Sequence, residues 1–154
     1  MRLFWRIADL SRAMHREMRF GELSRAPLRL LRVEWRGDAA ECDWLARPAD
    51  EWDRDLPRQV SEANVSEQAL RDAIAVRELL FNALAEVDTA SLRVFRQSAG
   101  GTHDLIITGT VTRGEKVPRN VPSTAMQAKL LGFQFWLEDG FLEAMASEEC
   151  AVSF

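Results

Sequence analysis

The chain contains no tyrosine, two cysteines, two histidines and two lysines, and no apolar run approaches the length of a membrane span. Each shortage closes off a class of function. Cys42 and Cys150 cannot build a disulfide framework, which points to a reducing compartment. Two His and two Cys at no recognised spacing do not supply the three or four convergent ligands of a zinc site, so no metal is expected. No phosphate-loop or dinucleotide glycine pattern is present either, and no cofactor is expected. A bilayer crossing needs roughly 20 apolar residues, and Arg2, Arg6 and Arg12 interrupt what would have to be the core of a secretory leader. The expectation is a soluble, cytoplasmic protein with no membrane span.

Lysine scarcity also changes how the arginines are read. With 18 Arg against 2 Lys, the excess reflects a compositional skew, and the net charge of −4 disfavours nucleic acid as a partner. The charge is uneven along the chain: residues 1–36 carry nine Arg against four acids, while the remainder carries eleven cations against twenty acids.

What is present fits one α+β domain over residues 1–154. In residues 1–20, Leu3, Ile7, Leu10, Met14 and Met18 recur at three- and four-residue steps opposite an arginine face, which predicts an amphipathic helix. Such a helix either docks on an anionic surface or packs on its own domain; the second reading is preferred. Leu28–Trp35 and Ala39–Leu45 flank Gly37-Asp38, a two-residue hairpin turn with Gly first, in a register that sets Val33 opposite Cys42, Leu31 opposite Trp44 and Arg32 opposite Asp43. Arg36-Gly37-Asp38 is thus a turn rather than an adhesive tripeptide. The acidic stretch Pro48–Pro57 lacks the glycine of a calcium loop. Asn64 with Glu67 resembles a capping box opening a helix to about Ala85. Residues 91–97 and 104–113 read as a second hairpin, and Asp104–Val111 is apolar enough to predict a central strand covered on both faces. Each hairpin is followed by Asn-Val before a helix, a ββα echo. Ser123 can cap a helix through Leu131; beyond it, the alternation of Phe133, Phe135 and Leu137 favours a fifth strand over 133–138, with a continuous helix as the other reading. Residues 141–147 look helical. The predicted architecture is therefore helices packed on one face of an antiparallel sheet made from two hairpins.

Candidate chemistry is sparse. Arg77 interrupts the apolar stripe of its helix and must pair with a carboxylate, expected to be Asp43 or Asp104, snorkel out to solvent, or hold an anionic ligand. Arg113, Lys116 and Arg119 precede a helix start and could form an anion site with it. His103 beside Asp104 is the one His with an adjacent carboxylate, and a Cys42–His103 pair is the remaining nucleophile arrangement. In element order and acidity the chain resembles the small dimeric chaperones of bacterial secretion systems. That resemblance implies a non-catalytic protein-interaction or assembly domain acting as a homo-oligomer; the alternatives are a small-molecule anion binder or a small hydrolase using His103 and Asp104.

Overall fold

A computed structural model describes residues 2–18, 21–49, 55–117 and 119–145, with side chains from Ala8 onward. The elements run α1 (Arg2–Glu17), β1 (Arg29–Arg36), β2 (Ala39–Leu45), α2 (Arg58–Ala83), β3 (Thr89–Gln97), β4 (His103–Thr112), α3 (Thr124–Leu131), β5 (Phe133–Gln134), β6 (Trp136–Glu138) and β7 (Phe141–Glu143). Strands β1 to β5 form one sheet in chain order, and β6–β7 form a separate small hairpin. The α+β class is as the residue pattern predicts. Among the described residues no helix is long and apolar enough to cross a membrane.

The sheet is mixed rather than antiparallel. Both hairpins are antiparallel, but β2 and β3 pair in parallel because α2 carries the chain back along the sheet before β3 begins. The second hairpin is consequently inverted relative to the first, so the ββα echo is not a translational repeat in space.

Helix α2 starts earlier than Asn64, which lies inside it. Pro57, whose ring fixes φ at −54°, stands at its N-cap without a side-chain cap bond, and the helix runs 26 residues. Helix α3 follows its signals: Ser123 Oγ accepts from the Met126 N–H at 3.3 Å, and Gly132 closes the helix at φ +109°. The C-terminal part departs from propensity. Phe133 and Gln134 join the main sheet, the chain then leaves it, and Asp139 (φ +51°) and Gly140 (φ +81°) make the turn that pairs Trp136–Glu138 with Phe141–Glu143. The strand reading of 133–138 thus resolves into two strands, and 141–143 is strand where helix was expected.

One core holds the layers together. Leu10, Met14 and Met18 of the α1 region, Leu70, Val76 and Leu80 of α2, and Ala128 and Leu131 of α3 pack with Ala40, Cys42 and Trp44 of β2, Leu92 and Val94 of β3, and Ile107 and Val111 of β4. Of the apolar stripe of the α1 region, Leu10, Met14 and Met18 thus pack on the domain, while the side chains of Leu3 and Ile7 lie outside the described residues. In β4, Ile107 and Val111 face the helices while Thr108 and Thr110 project from the other side, where Leu105 is buried beside Phe95, so the second face of this strand is covered only at its start. Its uninterrupted Leu105-Ile106-Ile107 run has a local cause: Val94 pairs with Ile107 and Phe95 with Leu105, leaving Ile106 as the extra residue of a bulge. A second bulge lies in β1, where Leu30 rather than Leu31 meets Trp44 and Leu31 becomes the extra, exposed residue. Leu45 accordingly meets Arg29 and not Leu30, which the hairpin register also set opposite it, while the pairs from Arg32–Asp43 to Trp35–Ala40 stand as predicted. Gly37 takes φ +60° at the turn, the arrangement of a hairpin turn with Gly first. Trp5 (for its side chain), Phe20, Trp52 and Cys150, which bear on apolar surface and disulfide pairing, lie outside the described residues.

Candidate functional site

The face of the sheet away from the helices is the surface on which polar side chains converge. Strand alternation sends Ala40, Cys42 and Trp44 inward and Glu41 and Asp43 outward, and the same parity on β3 sends Ser91 and Arg93 outward. Because Arg32, Asp43 and Arg93 stand in register on three adjacent strands, the carboxylate sits between two guanidinium groups. Arg93 approaches it side-on: Nε donates to Oδ1 at 3.0 Å and Nη2 to Oδ2 at 2.7 Å. From the other side Arg32 Nε donates to Oδ2 at 3.2 Å. Arg32 also bridges Glu34 (3.0 Å) and Glu41 (3.2 Å), neutralising two acids that face each other directly across β1 and β2. Hydrogen bonding to Asp43 is the main cause that raises the pKa of both arginines above the usual value, with burial acting the other way. Each cation is thereby fixed in orientation as well as in charge.

Two shallow concavities share this centre. One, about 550 Å³, is lined by Arg32, Asp43, Ser91, Arg93, Thr108 and Thr110. The other, about 420 Å³, continues from Arg93 and Thr108 across Lys129 and Gln134 to Phe135 and Trp136. Lys129 Nζ lies 4.3 Å from the centroid of the Phe135 ring and donates to the Phe135 carbonyl at 3.0 Å, so it forms a wall of the groove. Trp136 stands at the rim, 62% exposed. Of the seven exposed large apolar side chains among the described residues, Trp136 lines this groove, and Met126 and Leu130 of α3 and Leu137 of β6 belong to the neighbouring elements.

The residues singled out in sequence are distributed differently. Arg77 is buried, but neither expected acid reaches it: Asp43 is on the opposite face of the sheet from α2, and Asp104 starts the strand whose far end Arg77 contacts, about 26 Å away at 3.3 Å per residue. Its Nη2 donates to the carbonyls of Thr112 (2.7 Å) and Glu115 (2.8 Å), Nη1 meets Glu78, and Nε is a buried donor with no acceptor. Arg113 closes the end of α2, donating to the carbonyls of Phe81 (2.8 Å), Leu84 (2.8 Å) and Val87 (2.6 and 3.0 Å). The two guanidinium groups flank the Phe81 ring at 5.3 and 5.0 Å. Arg77 and Arg113 are thus brought together, as ties between α2 and the end of β4, while Lys116 and Arg119 are exposed. His103 is exposed with its ring 6.4 Å from that of Phe95, and Asp104, its neighbour on a strand, projects to the other face. Cys42 is fully buried on the helix face, and burial, aided by Asp43, pushes its thiol up to about 12, where it is inert.

Sequence reasoning passed over the most enclosed polar cluster. Arg47 and Asp72, with side chains 1% and 5% exposed, pair at 2.7 Å; Arg47 also donates to the carbonyls of Ala26 (2.8 Å) and Met18 (2.6 Å), and Gln68 donates to Asp72 at 2.9 Å. The signal was available: Asp72 falls three residues after Ala69 and four before Val76, on the buried stripe of α2. Compared with protein-family models, curated proteins and solved structures, the chain matches none, so its resemblance to secretion chaperones rests on element order and acidity alone.

Proposed function

We propose that the chain is a non-catalytic protein-interaction domain of adaptor or chaperone type, working as a homo-oligomer, and that its partner-binding surface is the open face of the sheet. The observation that carries this reading is the pre-ordered Arg32–Asp43–Arg93 array running into a groove rimmed by Trp136. Arginine and tryptophan are the side chains that most often dominate protein interfaces, and arginines already fixed by a carboxylate lose little further freedom when a partner docks. The exposed apolar side chains of α3 and β6 supply surface whose burial would drive association.

The alternatives have less support. A small-molecule anion site built from Arg77, Arg113, Lys116 and Arg119 would need the guanidinium groups of Arg77 and Arg113, which instead donate to backbone carbonyls. A hydrolase using His103 and Asp104 would need both side chains on one face of β4. The test combines binding and turnover. Trp136→Ala and Arg93→Ala, each with unchanged circular dichroism, should lose a partner that the wild-type protein retains in quantitative co-purification. Hydrolysis of an ester, phosphate or thioester panel that disappears in His103→Ala would overturn the reading in favour of an enzyme.

A further inference from the structure

Strand β1 is the outer strand of the five-stranded sheet, with no strand neighbour beyond it among the described residues. Which of its backbone groups point outward follows from the pairing. Ala46 N–H donates to the Phe95 carbonyl at 2.8 Å, which assigns the even-numbered residues of β2 to β3 and the odd-numbered ones to β1. Glu41 and Asp43 therefore exchange bonds with Glu34 and Arg32, and the N–H and C=O of Val33, between them, point away from the sheet. Unpaired edges of this kind are templates for another strand.

We propose that β1 is a self-pairing edge, at which two copies of this chain join antiparallel about a two-fold axis at Val33. The inference rests on the homo-oligomer part of the reading above and names its geometry. Charge selects the register. With Val33 opposite Val33 of the second copy, Arg32 of each chain faces Glu34 of the other on the open face, twice across the dyad. Moving the axis to Glu34 sets Glu34 against itself and Arg32 against Arg36, like charges directly opposite one another. Moving it to Trp35 leaves only Glu34 to Arg36 overlapping before the turn at Gly37. An axis perpendicular to the sheet keeps both helix layers on one side, so the two open faces become one continuous surface. The contact is isologous and closed, which fits a dimer rather than a filament. The bulge at Leu31 limits how far the new ladder extends, so Val33 and its two neighbours carry the specificity.

Proline at position 33 separates this interface from the fold, since it deletes an N–H that the β1–β2 ladder does not use. Sedimentation velocity over a range of concentrations should show a dimer for the wild type. Val33→Pro should raise the dissociation constant roughly tenfold or more, with circular dichroism unchanged. Glu34→Arg relieves the Glu34–Glu41 opposition inside the chain while placing like charges across both ends of the dyad, and should weaken the dimer in a salt-dependent way. In wild-type protein the Val33 amide should gain hydrogen-exchange protection as concentration rises, a readout that does not depend on how either variant folds. A dimer unaffected by both variants, with no change at Val33, overturns the edge assignment and leaves oligomerisation standing; a monomer at every concentration overturns both.

Discussion

The buried Arg47–Asp72 pair allows a prediction worked from its contacts. Asp72→Leu takes from a guanidinium whose side chain is 1% exposed the carboxylate that meets it at 2.7 Å, which should destabilise by roughly 3–5 kcal/mol even though the Ala26 and Met18 carbonyls still accept from it. Arg47→Met acts by another route. The abandoned carboxylate, whose pKa burial already raises, can take up a proton instead of staying charged. The two carbonyls then lose their donor, each costing about 1–3 kcal/mol, so the total falls in the same range. In the double variant both charges are gone and mainly the two carbonyls remain unsatisfied, a loss of about 2–4 kcal/mol. The double change should therefore cost no more than either single one, and the cycle should return an interaction energy at least as large as one single effect, about 3 kcal/mol or more. Urea unfolding of the four proteins with matched m-values measures it; by thermal melting each kcal/mol appears as about 2–4 °C at this chain length. Single effects that add to within about 0.5 kcal/mol would show that the two residues share no energy and refute the argument.

Two further predictions follow from the same contacts and from the sheet. Burial raises the Asp72 pKa above the ordinary 3.8 more than Arg47 and Gln68 lower it, so its contribution is full below that pH and is lost as pH rises through the folded-state value. The stability advantage of wild type over Asp72→Asn should shrink as pH climbs above about 4, and a growing advantage would mean that the ion pair outweighs desolvation. At Gly109 an added Cβ would lie 2.7 Å from the Gly132 carbonyl oxygen and 2.9 Å from the Phe133 Cα, both backbone, so Gly109→Ala must displace β5 and should destabilise by roughly 1–3 kcal/mol in chemical denaturation. A neutral result would show that β5 is not held against β4 as described.

Much of the architecture was legible because its signals are local. The first hairpin could be registered from the pairing of Arg32 with Asp43 and Val33 with Cys42, and α3 from Ser123 and Gly132. Signals failed where one local rule stood in for several. Asn64 and Glu67 match a capping box, yet α2 continues upstream because Arg58 to Ala63 carry no breaker after Pro57. The run Leu105 to Ile107 resembles a strand buried on both faces because a bulge is invisible to periodicity. The parallel junction of the hairpins is set by the α2 crossover, a long-range event with no short motif. For the site, Arg77 stood out as a charge on an apolar stripe, but backbone carbonyls as its partners leave no trace in side-chain identity. The Arg32–Asp43–Arg93 array was half visible: its first pair follows from the hairpin turn, while Arg93 joins only through the parallel register.

That parallel register also bears on how the chain reaches its native state. Every partner pair between β2 and β3, from Ala39 with Thr89 to Leu45 with Phe95, is 50 residues apart, whereas the hairpins close over short connections. Closing the longer loop costs about 2 kcal/mol more in chain entropy than closing one of about five residues. The hairpins and α2 should form early and the centre of the sheet last. Until it does, Trp44 and Cys42 on one hairpin and Leu92 and Val94 on the other lack the apolar neighbours they have in the core. Refolding then becomes a race between joining the two halves of one molecule and joining halves of different molecules, and the yield of native protein should fall as the refolding concentration rises.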